Sequence, residues 1–214
     1  MTRLLIADDH LMFRAAIKRL LASEPDFSVV AEAADDTEVI ASIRSQPVNV
    51  AILDLTMSGR DSFDLISHVK SLQPKLPVLI LTAHIQVEYA IRSLRAGADG
   101  FLTKFDAPEQ LVTAVRKLAS GGKYICAMVA ESLAFEFGGP QENREKALHS
   151  RLSNREYKVF EMLAVGKSSS QIAQELYISN KTVSTHKVRL LHKMNMSNQA
   201  ELIRYAINNN LMPD

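Results

Sequence analysis

The 214 residues predict two folded units of different class: a doubly wound, five-stranded parallel α/β sheet, then a small all-α domain of four helices. Three observations carry this. Strand-like apolar runs alternate five times with helical patterns in the first half of the chain, as in a parallel sheet joined by crossover helices. Beyond residue 150 only helical patterns recur. Between them, Gly138-Gly139-Pro140 and the polar run Gln141–Lys146 read as a hinge. The expected division is therefore a first domain over 1–121, a linker with a helix over Ala127–Phe137 within 122–148, and a second domain over 149–214.

The elements of the first domain follow in order. Arg3–Asp8 is a strand and Leu11–Ala22 a helix; Ser28–Ala33 and Asp36–Arg44 repeat the pair. The third strand is the run Val48–Thr56, apolar and partly β-branched until Asp54, which suits a strand buried on both faces. Asp61–Leu72 is its helix. Pro77–Ala83 and Gln86–Arg95 come fourth, with Gly97 placed as a helix C-cap, then Gly100–Lys104 and Pro108–Ala119, with proline in the first turn.

Composition limits the function classes. An apolar fraction of 47% with 23% charged residues suits an ordinary globular protein. No apolar run approaches the roughly 18 residues of a membrane span, and the chain enters Leu4-Leu5-Ile6-Ala7 without a signal-peptide pattern. Cys126 is the single cysteine, so no internal disulfide forms, and a cytoplasmic location without a membrane partner is expected. The net charge of +1 conceals an asymmetry: from His149 onward nine Lys/Arg face five Asp/Glu, leaving 16 basic and 19 acidic residues before it. The rear unit is the one suited to a polyanion.

In open α/β sheets, ligands bind beyond the carboxyl ends of the strands, where strand order reverses. There the sequence offers Asp8 and Asp9, Asp54, Thr82 and Lys104. Only the second strand, an edge strand in the expected 2-1-3-4-5 order, ends without a polar group. Crowded carboxylates repel one another, so a divalent cation is the expected counter-charge, and hard oxygen ligands with open positions suit Mg²⁺. Asp54 is then a nucleophile able to form an aspartyl phosphate. Lys104 would stabilise the charge in flight, and the Thr82 hydroxyl would hydrogen-bond the phosphoryl group. His10 and His84 lie near this site in supporting or solvent-facing roles.

Asp8-Asp9, Asp54, Thr82-Ala83 and Lys104 at these separations resemble the receiver domain of bacterial two-component response regulators, over residues 1 to about 120. The resemblance implies phosphotransfer from a sensor histidine kinase or a small phosphodonor to Asp54. It implies Mg²⁺ held by Asp9, Asp54 and the Thr56 carbonyl, with Asp8 beside them, and an aromatic switch at Phe101 coupled to Thr82. Ser58 and Ser62 stand where that family often has Pro and Gly, and Phe105 where it often has Pro; Gly59 is kept.

In the second domain, Ser153-Asn154-Arg155-Glu156 fits a capping box before a helix carrying Val159, Phe160, Met162 and Leu163. Ser168–Gln171 offers a second box, Ser179 caps a third helix over Lys181–Met194, and Ser197-Asn198 opens the last, Gln199–Asn208. Short connections between the second and third helices suggest a helix-turn-helix. At 100° per residue, Val183, Leu190, Leu191 and Met194 share the inner side of the third helix. Ser184, Thr185, Val188, Arg189 and His192 share the outer side, which suits groove reading. Lys181, Thr182, Lys187 and Lys193 are placed to meet phosphates. Leu152–Glu156, Gln171-Ile172-Ala173 and Lys181–His186 resemble the LuxR-type helix-turn-helix, which implies a recognition helix in the major groove of double-stranded DNA and pairing through the last helix, at Leu202, Ile203 and Ala206.

Together these imply a DNA-binding transcriptional response regulator, not an enzyme beyond slow self-dephosphorylation, dimeric when active, with RNA polymerase a further candidate partner. Its alternative is a constitutive DNA-binding regulator whose receiver only mediates interactions. A phosphohydrolase is disfavoured because Thr56, not a second acid, stands two residues beyond Asp54, and a dinucleotide-binding domain because no Gly-x-Gly-x-x-Gly follows the first strand.

Overall fold

A computed structural model describes residues 1–57, 62–127, 129–131 and 147–212. The loop at Ser58 and Gly59, the first residue of the Asp61–Leu72 helix, most of the linker helix and the Gly-Gly-Pro hinge lie outside the described residues. The chain divides into two compact units, Met1–Phe137 and Gly138–Asp214.

The first unit is the expected alternation: β1 (Thr2–Ala7), α1 (Leu11–Ala22), β2 (Phe27–Ala33), α2 (Asp36–Ser45), β3 (Val50–Leu53), α3 (Ser62–Leu72), β4 (Val78–Thr82), α4 (Val87–Ala96), β5 (Gly100–Thr103) and α5 (Pro108–Ala119). Every pairing is parallel, and the order is 2-1-3-4-5-6. The central strands β3 and β4 are buried at every residue, which is why they read as continuous apolar runs. Helices α2, α3 and α4 pack in sequence, while the Arg116 guanidinium on α5 reaches Glu24 and Asp26 just after α1.

The sixth strand is a correction to the expected five. β6 (Tyr124–Ile125) pairs with Gly100 and Phe101 of β5, so the sheet extends beyond residue 121 into the stretch expected to be linker. Two residues are too few for a period-2 pattern to be visible; the strand exists because β5 presents an open edge. Gly100 permits the approach, since a Cβ there would lie 2.8 Å from Leu79 Cδ1 and 3.1 Å from the Tyr124 carbonyl oxygen. Beyond it, Ala127 and Val129–Glu131 are helical, the described part of the expected linker helix.

The second unit holds a 3-10 turn (Leu148–Arg151), then α6 (Asn154–Ala164), α7 (Ser169–Glu175), α8 (Asn180–Lys193) and α9 (Gln199–Asn208). Both expected capping boxes form, Ser153 with Glu156 and Ser168 with Gln171, and Ser179 and Asn198 cap the last two helices. All four helices end alike. The residue after the C-cap is left-handed, its amide bonds back three residues and the next amide five, a Schellman motif. The left-handed residues are Gly166, Tyr177, Asn195 and Asn210. Val183, Leu190 and Met194 are buried as the helical wheel predicts, and Leu191 is half-buried.

Candidate functional site

The strand order brings four polar strand ends together. β1, β3, β4 and β5 are successive neighbours, so Asp8, Asp54, Thr82 and Lys104 line one edge of the sheet. Backbone bonds carry the order into the loops: Asp54 N–H donates to the Ala7 carbonyl at 2.9 Å and Lys104 N–H to the Thr82 carbonyl at 2.7 Å. Asp106, not singled out in the sequence, accepts from the Thr103 amide and hydroxyl at 2.6 and 2.8 Å and so shapes the turn that presents Lys104.

The Lys104 ammonium lies 2.7 Å from Asp8 Oδ2 and 2.8 Å from Asp54 Oδ2, above the Phe13 ring at 4.5 Å from its centroid. Burial works against its charge, but the hydrogen bonds and charges of Asp54 and Asp8 outweigh that and hold its pKa above the ordinary lysine value. Asp54 is 2% exposed. Its Oδ2 also accepts from the Thr56 hydroxyl, a contribution additional to the carbonyl role expected of that residue.

The remaining oxygen, Asp54 Oδ1, is buried and has no hydrogen-bond partner among the described residues. An orphaned buried carboxylate oxygen costs about 1–3 kcal/mol or more, a cost that a bound cation would offset. Asp8, Asp9, His10 and Asp54 each offer a ligand atom, all within 4.8 Å of one another. Three carboxylates, one of them with an oxygen unpaired among the described residues, fit a hard divalent cation. His10 Nδ1 stands 2.8 Å from Asp9 Oδ1 and 3.3 Å from Asp8 Oδ1 at the rim.

Thr82 is wholly buried, and its hydroxyl accepts from the His84 amide at 3.3 Å. The His84 imidazole in turn stacks on Tyr89 of α4, with centroids 4.0 Å apart and planes within 5°. Phe101 is wholly buried on β5 opposite Ile80.

On α8, Lys181, Ser184, Thr185, Val188 and Arg189 are exposed, Val188 at 67%, and Thr182 is half-buried. The Ser184 and Thr185 hydroxyls donate to the Asn180 and Lys181 carbonyls.

The match to known families follows these two sites. Residues 4–116 match the model of the response regulator receiver domain, and residues 150–206 that of the luxR family of bacterial regulatory proteins. The chain belongs to the LuxR-type two-component response regulators. It is 33% identical to the oxygen regulatory protein NreC of Staphylococcus epidermidis, covering 98% of this chain and 99% of NreC. Identity to the virulence regulator BvgA of Bordetella pertussis is 34%, covering 98% of each. Among solved structures, the RcsB response regulator of Salmonella typhimurium superposes with a TM-score of 0.71 at 28% identity, covering 95% of this chain and 96% of that one.

In this response regulator several residues expected at the DNA and dimer surfaces have partners inside the domain. Lys187 donates to Gln199 Oε1 at 2.8 Å, and Gln199 donates to the Leu163 carbonyl at 3.0 Å. Lys193 lies 2.6 Å from Glu156, whose side chain is 4% exposed. Both lysines therefore tie α8 to its own domain. Leu202 and Ala206 are fully buried, because that side of α9 packs on α6; Ile203 is half-buried and Ile207, one turn on, is 56% exposed. No described helix is long and apolar enough to cross a membrane.

Proposed function

We propose that Asp54 accepts a phosphoryl group from a sensor histidine kinase or a small phosphodonor, and that its phosphorylation sets how the LuxR-type domain engages DNA. The observation that carries this is Asp54 itself: buried, with one oxygen bridged to Lys104 and the other without a partner among the described residues. An Asp54 oxygen forms the P–O bond as the P–N bond of a phosphohistidine breaks, its electron pair staying on the imidazole nitrogen. Lys104 moves from Asp54 Oδ2 to the phosphoryl oxygens, and the Thr82 hydroxyl donates to one of them. Asp8, Asp9, Asp54 and the Thr56 carbonyl would hold Mg²⁺, which supplies positive charge to those oxygens. Water then hydrolyses the acyl phosphate slowly, the only turnover assigned to the chain.

Exposed apolar side chains flank this mouth: Leu11 and Met12 directly after Asp9-His10, and Phe105 directly after Lys104. They suit docking of the kinase's phosphohistidine-bearing surface. Transmission starts at Thr82, whose hydroxyl leaves the His84 amide for the phosphoryl group, and passes through the His84–Tyr89 stack to α4. Phe101, wholly buried on β5, is the aromatic switch position coupled to Thr82. On the output side, Lys181, Thr182, Ser184, Thr185, Val188 and Arg189 face the major groove. Ile203 and Ile207 are the α9 residues available for pairing two copies. RcsB has been captured on promoter DNA with a beryllofluoride phosphomimetic, and as dimers on DNA; binding to duplex DNA as a dimer is assigned to this chain.

The test is labelling with radioactive acetyl phosphate in the presence of Mg²⁺, followed by footprinting with and without beryllofluoride. The wild type should acquire an acid-stable, base-labile adduct that Asp54→Asn lacks. Labelling that persists in Asp54→Asn would remove the nucleophile assignment, and identical footprints would favour the phosphorylation-independent regulator.

A further inference from the structure

Six described residues have left-handed backbone, and five of them are glycine or asparagine, the residues that tolerate it. The sixth is Tyr177, at φ 52°. It holds the same Schellman position after α7 that Gly166, Asn195 and Asn210 hold after the other helices of the domain, so the fold accepts Gly or Asn there and carries a bulky aromatic instead. Packing does not explain the choice, since Tyr177 is 87% exposed. Nor is the turn free to relax. The Tyr177 amide bonds to the Gln174 carbonyl at 3.3 Å and the Ile178 amide to the Ala173 carbonyl at 3.0 Å, while Arg155 of α6 clamps the Leu176 carbonyl at 2.8 Å. A ring is thus held in solvent on strained backbone, two residues before Ser179, the N-cap of α8.

We infer that Tyr177 is a DNA-backbone contact that positions the α8 helix. This rests on the reading of α8 as the groove-reading helix. With the first turn of α8 in the major groove, the connection leading into it runs beside the flanking sugar–phosphate strand. There the phenol hydroxyl donates to a phosphate oxygen and the ring covers the sugar. Tyrosine is among the side chains that make such contacts, which set register without reading sequence. Backbone strain kept at one exposed aromatic, where the domain's other helices avoid it, is the pattern of a residue retained for binding.

The contact is to the backbone, so it operates on any duplex and no operator is needed to test it. Binding of the full-length protein to a fluorescein-labelled duplex of random sequence is followed by anisotropy across a salt series, for wild type, Tyr177→Asn, Tyr177→Phe and Lys181→Ala. Tyr177→Asn should melt at a higher temperature than wild type yet bind about threefold to tenfold more weakly, with the salt slope unchanged because no charge is lost. Tyr177→Phe should lie between the two. Lys181→Ala should lower the salt slope by about one. Since the chain has no tryptophan, tyrosine emission reports directly, and DNA should change it in wild type more than in Tyr177→Phe. Unchanged or tighter binding by Tyr177→Asn, with Lys181→Ala weakened as expected, overturns the Tyr177 assignment alone. Binding by wild type that is absent, or independent of salt, overturns the reading of α8 on which it rests.

Discussion

Replacing Lys104 by glutamine tests the phosphoacceptor site at its electrostatic centre. The change keeps most of the side-chain volume but removes the cation bonded to both Asp8 and Asp54, whose carboxylates are 4% and 1% exposed. Breaking a buried ion pair from one side costs about 3–5 kcal/mol. The lysine side chain itself is 11% exposed, so some water can re-enter, and the lower end, about 3 kcal/mol, is the expectation in the absence of metal. Urea unfolding in EDTA measures it. Added Mg²⁺ should restore more stability to the variant than to wild type, because it enters a site that has lost its ammonium. The pH dependence has a defined sign. The folded Lys104 pKa is raised, so its stabilisation is fully present below the unfolded value of about 10.4 and is lost as pH rises through the folded one. The gap between wild type and variant should therefore be level through neutral pH and close only in strong alkali. A variant within about 0.5 kcal/mol of wild type in EDTA, the range of ordinary surface changes, would refute the bridging role of Lys104. So would an unchanged response to Mg²⁺.

The remaining predictions concern coupling and the output domain. His84→Ala removes the stack on Tyr89 and should leave beryllofluoride binding intact while weakening its effect on duplex affinity by about 0.5–2 kcal/mol; the ratio of anisotropy titrations with and without beryllofluoride reads this. Glu156→Ala deletes both a capping-box acceptor and the partner of Lys193, and should cost about 3 kcal/mol by urea unfolding, roughly 1 from the cap and 2 from the charged bond. Burial alone would raise the Glu156 pKa, but hydrogen bonds from Lys193 and Ser153 bring it below the ordinary value. Its stabilisation is thus complete above the unfolded value of about 4.3 and fades as pH falls through the folded one, so variant and wild type should converge in acid.

Legibility in the sequence followed the length of the signal. Asp8, Asp54, Thr82 and Lys104 could be found from sequence because each ends a strand whose apolar run is long enough to see, and a parallel sheet aligns such ends. Phe13 and Asp106 could not. Neither ends a strand: Phe13 sits on α1 and meets Lys104 only once that helix packs on the sheet, and Asp106 acts from the turn after β5. The helical wheel of α8 separated buried Val183, Leu190 and Met194 from exposed Val188 and Arg189, since helix periodicity is a local property.

A wheel, however, sees one helix. It could not anticipate that Lys187 would be drawn to Gln199, that Lys193 would meet Glu156, or that Leu202 and Ala206 would be enclosed, because each depends on which helix lies opposite. The sequence by itself determined the two folds, the order of their elements and the chemistry available at the strand ends, all matters of short-range pattern. Tertiary structure alone decided the sixth strand, the pairing of Lys104 with two acids while one Asp54 oxygen has no partner among the described residues, and the exposure of Tyr177 on left-handed backbone. The first two depend on distances between segments far apart in the chain, and the third on a turn conformation that an aromatic residue does not signal, so residue patterns do not encode them.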